Sequence, residues 1–165
     1  MPRFLCDEML GRLCHYLRAA GYDTQFASNG ASDAELLRQC HNEGRNFLTQ
    51  DTLVREHKAA RGIALILPHM PLDGLAALLD TRFHLDWLSH AFTRCLVDNT
   101  PLVAADDAAL ARVPQDARGH ADPLCHCPAC GRVYWRGSHY KRMRARLVAW
   151  QAAKTSSSGR SVPAA

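Results

Sequence analysis

Residues 3–23 read RFLCDEMLGRLCHYLRAAGYD, and residues 46–51 read NFLTQD. Each opens on a short run of buried-type residues that gives way to an aspartate, Asp7 in the first and Asp51 in the second. After the first aspartate, Met9, Leu10, Leu13, Leu17 and Ala20 recur at helical spacing as one apolar stripe. Gly21 supplies the left-handed residue that ends such a helix. TQFA (24–27) is a second strand. SDAELLRQCHNEG (32–44) is a second helix, with Ser32 and Glu35 at capping-box spacing and Gly44 as its stop. NFLT is a third strand, DTLVREHKAA (51–60) a third helix and IALILP (63–68) a fourth strand. A further helix is expected from about Leu72 to Leu79. Strands and helices alternating at these lengths predict parallel strands joined by right-handed crossovers, an α/β fold.

That topology gives the aspartates a common address, because ligands of parallel α/β sheets bind outside the carboxyl ends of the strands. Asp7 follows the first strand and Asp51 the third, and Asp33 opens the second helix from the same edge. Three converging carboxylates repel one another unless a cation offsets them. A donor set made only of oxygen favours Mg²⁺ or Mn²⁺. Taken singly, each acid also suits a helix cap, as does Glu35, while Glu8 points round the helix from Asp7 into a supporting position. A carboxylate-held cation suits phosphoryl chemistry. Arg12, Arg45 and Arg55 lie near the crevice-facing segments and could hold phosphates, but each reads first as a surface charge and none as catalytic. A phosphorelay receiver shares this placement of acids yet needs a lysine after its fifth strand, and none stands between Lys58 and Lys141. Dinucleotide binding lacks its glycine-rich turn.

After His84 the pattern changes to short strands and turn residues. The 165-residue chain carries seven cysteines and a net charge of +4. Cys6, Cys14 and Cys40 sit in apolar patterns and read as small buried hydrophobes. CPACG (127–131) is different: two cysteines flank a tight turn at metal-clip spacing. CLVD (95–98) has the spacing of a matching turn, with Asp98 where a second cysteine would stand. A structural Zn²⁺ site with Cys95, Asp98, Cys127 and Cys130 is the expectation, and Cys125, His126 and His139 are rival fourth ligands. Without metal, the hairpin would be held by packing around Tyr134 and Trp135. Ser138 caps a last helix in which Tyr140, Met143, Leu147 and Trp150 share one face. Lys141, Arg142, Arg144 and Arg146 crowd the others, either as sequence-independent phosphate contacts or as a solvated basic face. The tail TSSSGRSVPAA (155–165) has no basis for a fold. Thiols used this way, with no signal-peptide pattern and no membrane-length apolar run, point to the cytoplasm and to no membrane partner.

RFLCDEMLGRLCHYLRAAGYDT (3–24), SDAELL (32–37), GRNFLTQD (44–51), RCLVDN (94–99) and CPACGRVYWRGSHYKRM (127–143) together resemble the PIN-like ribonuclease family of the Mut-seven C-terminal domain type. The resemblance implies a PIN-like parallel sheet flanked by helices, with a small C-terminal zinc-ribbon-like module and a final basic helix. It implies a metal-dependent ribonuclease whose substrate is RNA and whose acids are Asp7, Asp33 and Asp51. The ribbon ligands would be Cys95, Cys127 and Cys130 with position 98, where the family pattern usually has cysteine and this chain has aspartate. The expected organisation is a nuclease core over 1–82, the ribbon-like module with its helix over 90–152, and a disordered tail over 153–165. A non-catalytic RNA-binding zinc-ribbon protein with an inactive core is the alternative. An inhibitory protein partner is left open.

Overall fold

Four strands pair in parallel: β1 (Phe4–Cys6), β2 (Thr24–Phe26), β3 (Asn46–Thr49) and β4 (Ala64–Ile66), in the order β2-β1-β3-β4. The computed structural model describes residues 1–27, 30–115 and 124–158, with side chains through Lys154. Helix α1 (Gly11–Ala19) crosses from β1 outward to β2. Helix α2 (Asp33–Glu43) crosses back over β1 to β3, and two 3₁₀ turns (Leu53–Glu56 and Lys58–Ala60) lead on to β4. Because right-handed crossovers moving in opposite directions fall on opposite faces, α1 covers one side of the sheet and α2 with the 3₁₀ turns covers the other. The side chains follow. Phe4, Cys6 and Leu48 point into a core with Leu13, Leu17 and Leu79, whereas Leu5 and Phe47 point the other way to Leu37, Cys40 and Val54. Alternation along a strand thus feeds two buried layers.

Helix α3 (Leu72–Phe83) joins α1 on the first face. The second module is a three-stranded antiparallel sheet of β5 (Val103–Ala104), β6 (Cys125–His126) and β7 (Val133–Tyr134), with the short helix α4 (Asp107–Ala111) between β5 and β6. The last helix, α5 (Ser138–Ser158), returns to the first: Met143, Leu147 and Trp150 are buried in the same cluster as Phe4 and Leu17. Trp150 packs against Trp87 and Tyr16, and its ring N–H donates to Asp73 at 2.8 Å. Among the described residues no helix is long and apolar enough to cross a membrane.

Three local expectations change. The segment after Asp7 begins as a 3₁₀ turn (Glu8–Leu10) capped by the Asp7 carboxylate, and only then becomes α1. Three residues per turn rotate Met9 off the stripe, leaving it 62% exposed while Leu10 takes the buried place. The expected helix over 51–60 is the pair of 3₁₀ turns, because His57 between them is extended (φ −76°, ψ 119°). Helix α5 runs to Ser158, past residue 153 where the tail was expected, and residues 159–165 lie outside the described residues. Helix α2 is as expected, with a full Ser32–Glu35 capping box and Gly44 left-handed at φ 63°.

Gly21 does more than end α1. Its φ is 90°, and a Cβ there would stand 2.2 Å from the His90 carbonyl oxygen. The backbone leaving α3 thus presses directly on the turn before β2, with Phe92 N–H donating to Ala19 O at 2.6 Å. Since Leu147 is fully buried among residues of β1, α1 and α3, Leu147→Ala should cost about 2–5 kcal/mol in urea denaturation. One cooperative transition that shifts as a whole is expected.

Candidate active site and metal clip

The strand order reverses direction between β1 and β3, since the chain leaves β1 toward β2 and leaves β3 toward β4. Crevices open at such switch points, and Asp7 and Asp51 follow those two strands. A cavity of about 750 Å³ lies there, lined by Asp7, Glu8, Gln50, Asp51, Arg55 and His69 among others. One hydroxyl couples the two acids. Thr49, the last residue of β3 and fully buried, donates to Asp7 Oδ2 at 2.7 Å and accepts from Asp51 N–H at 3.0 Å. Asp7 Oδ1 accepts from Glu8 N–H at 2.7 Å, and Asp51 Oδ1 from Leu53 N–H at 2.8 Å. Asp7 therefore caps the turn that follows it, Asp51 closes a local turn onto Leu53, and both face shared space. Each retains acceptor capacity, because an ionised carboxylate offers about four lone-pair sites.

The other sequence candidates divide. Asp33 heads α2 on the same edge but is not among the residues lining the cavity. Glu35 is spent on the capping box, and the Ser32 hydroxyl bonded to it holds its carboxyl below the usual range. Glu8 lines the cavity and accepts from Gly30 N–H at 3.3 Å. Arg55 lines it as well. Arg45, by contrast, is buried at the amino edge between Asp23 (2.8 Å) and Glu43 (2.6 Å). Thr49 escaped the sequence reading although it stands two residues before Asp51, since a buried β-branched residue reads there as plain strand.

The cysteine half assembles around four side chains. One ligand atom from each of Cys95, Asp98, Cys127 and Cys130 lies within 4.8 Å of all the others, and this is the only such group of three or more among the described residues. Cys95 and Cys130 Sγ are 3.7 Å apart, and Cys127 Sγ is 3.3 and 3.4 Å from the Asp98 oxygens. Sulfur and oxygen on a tetrahedral zinc stand about 3.5–3.8 Å from one another, given bonds of about 2.3 and 2.1 Å. The cluster could hold a metal ion such as zinc, and with it the three short strands form a zinc-ribbon-like module. Cys125, His126 and His139 are outside the group.

Electrostatics fit that role. Burial works against the Asp98 carboxylate, but the Thr100 N–H and the adjacent thiols outweigh it and hold the carboxyl well below its usual range. The Arg132 backbone favours the Cys130 thiolate. Desolvation and the neighbours Asp98, Cys127 and Cys95 win, pushing that thiol up to about 12. A divalent ion reverses this balance, because the deprotonated thiol is the ligand. Tyr134 accepts from Leu96 N–H at 3.0 Å, so its own hydroxyl proton is free to point at Cys95 Sγ, also 3.0 Å away.

The clip is fastened to the first sheet. Arg18, only 5% exposed, donates to Leu96 O (2.9 Å) and Val97 O (2.7 Å) of the first turn and to Thr24 O of β2 (2.8 Å). Asn99, left-handed at φ 71°, accepts from Thr24 N–H and donates to Asp23. On α5, Lys141, Arg142 and Arg144 are exposed, whereas Arg146 pairs with Asp73 at 3.2 Å and lies over the Tyr16 ring.

Thr49→Val keeps the shape but leaves Asp7 Oδ2 and Asp51 N–H without their partner. It should cost about 1–3 kcal/mol in denaturant titration, with Thr49→Ser recovering most of it. No curated protein and no solved structure matches the chain. The family model of the Mut7-C RNAse domain matches residues 2–147, spanning both the sheet with its carboxylate cavity and the cysteine clip. By that match the chain belongs to the Mut7-C RNAse domain family, a ribonuclease-related family.

Proposed function

We propose that the chain is a metal-dependent ribonuclease that hydrolyses RNA phosphodiester bonds in the cavity at the β1–β3 switch point. The observation that carries this reading is the opening of Asp7 and Asp51 into one cavity, tied together through Thr49, in a chain of an RNAse-domain family. Two carboxylates with room for water suit Mg²⁺ or Mn²⁺, which keep several waters and use one or two protein carboxylates beside substrate phosphates. Asp7 and Asp51 would hold the ion, with Asp33 brought from the head of α2 on the same edge. When bound, the ion lowers the pKa of water and offsets charge on the phosphoryl oxygens. The chain's own groups do the rest. Thr49 fixes the Asp7 carboxylate toward the cavity, and Arg55 supplies a cation for a phosphate oxygen.

Cys95, Asp98, Cys127 and Cys130 would hold a structural Zn²⁺, and Lys141, Arg142 and Arg144 would supply phosphate contacts that read no sequence. Arg146, engaged with Asp73 and Tyr16, contributes to docking of α5 instead. Location in the cytoplasm is part of this reading.

One observation favours a second reading: both acids already accept from backbone N–H groups of the turns that follow them, as they would in a non-catalytic RNA-binding protein. Asparagine caps as well as aspartate, so Asp7→Asn and Asp51→Asn preserve that structural role. The enzyme reading predicts that each abolishes Mn²⁺-dependent cleavage of an RNA oligonucleotide while RNA affinity stays at the wild-type value. Melting temperature is unchanged in Asp51→Asn and lowered in Asp7→Asn, whose single amide oxygen cannot accept from both Glu8 N–H and the Thr49 hydroxyl. A wild type that binds RNA and never cleaves it supports the second reading. Metal counting should find one zinc per chain, and Asp98→Cys should release it to a chelator more slowly than wild type, because thiolate suits zinc better than carboxylate.

A further inference from the structure

Beside the carboxylates and Arg55, the cavity is lined by an exposed histidine that neither metal binding nor packing employs, His69. It stands three residues beyond β4, and β4 pairs with β3. Neighbouring strands lie about 4.8 Å apart, so its segment leaves the sheet about one spacing from the exit of Asp51 and two from that of Asp7. The segment LPHMP (67–71) is tied to β3 at its start. Leu67 N–H donates to Thr49 O at 2.7 Å, Gln50 Nε2 donates to Pro68 O at 3.1 Å, and prolines at 68 and 71 restrict the backbone on both sides. Thr49, whose hydroxyl holds Asp7, thus also registers the strand that carries His69. The imidazole makes no hydrogen bond or ion pair among the described residues. Asp7, Asp51 and His69 are not a set whose donor atoms all lie within 4.8 Å. His69 lines the same cavity as the carboxylate pair, and the cavity's volume of about 750 Å³ has room for a phosphodiester.

We propose that His69 is the general acid of RNA cleavage, protonating the leaving ribose oxygen from a ring N–H. This rests on the ribonuclease reading above. Water attacks phosphorus and a new P–O bond forms. The P–O bond to the leaving oxygen breaks with its electron pair on that oxygen, which takes the His69 proton. The attacking water gives up a proton to solvent, and solvent returns one to the imidazole. No oxidation or reduction is involved. A ribose oxygen departs poorly as an alkoxide, so a positioned acid is worth about 10²–10⁴-fold in rate.

The test compares wild type, His69→Gln, His69→Ala and Asp51→Asn in Mn²⁺ on one RNA oligonucleotide and on the same oligonucleotide with sulfur in place of the leaving oxygen. The sulfur is prepared on either side of the scissile phosphorus. A thiolate leaves without a proton. The His69 variants should lose about 100-fold or more in kcat on the oxygen substrate and less than about tenfold on the sulfur substrate, and Asp51→Asn should lose both. Equal losses on the two substrates, a loss confined to KM, or no loss at all overturns the role of His69 and leaves the ribonuclease reading standing. A wild type that cleaves neither substrate overturns both.

Discussion

The parallel pairing of β1 with β3 is the constraint on which the molecule depends. It sets Leu48 O against Asp7 N–H at 2.9 Å, brings Thr49 beside Asp7, and so delivers two acids forty-four positions apart in the chain to one opening. The same pairing decides which residues face which layer. A shift of one position would turn Phe47 and Leu48 to the wrong sides and separate the Thr49 hydroxyl from its carboxylate. Fold and site are therefore fixed by one register. The two buried clusters make that register costly to change.

Much of this was legible in the sequence because the signals are local. The capping box of α2 and the left-handed Gly44 are short-range stereochemistry, and four apolar runs separated by helical patterns leave few topologies. CPACG and CLVD announce their turns by spacing, and the folded chain brings all four candidate ligands together. What stayed hidden is non-local. Met9 fits a buried stripe only if the helical period starts at Asp7, whereas the Asp7 cap imposes a 3₁₀ turn. Residues 51–60 carry helix-forming composition but are divided by tertiary packing of Val54 and Ala60 into the second layer. Nothing in KRMRARL distinguishes Arg146 from its neighbours until Asp73 and Tyr16 arrive from other helices. Thr49 and His69 are single residues whose significance comes wholly from what stands opposite.

The aspartate in the clip has its own physical logic. An Asp98 oxygen accepts from Thr100 N–H at 2.9 Å within the turn that also bonds Cys95 N–H to Thr100 O. That carboxylate is therefore oriented by the backbone before any ion arrives. Buried Arg18 sits on the carbonyls of the same turn and places a permanent positive charge beside a group of ligands that are anionic in their metal-binding forms.

That anchorage is made at Asp23 and Thr24, where β2 begins, while the cavity opens where β1 and β3 end. Strands of three residues put about 10 Å of hydrogen-bonded sheet between the two locations. Oxidation of the sulfurs would first be felt at the margin of β2, leaving the opposite rim its shape. Wear on one chemistry is thus insulated from the other by the thickness of the fold itself.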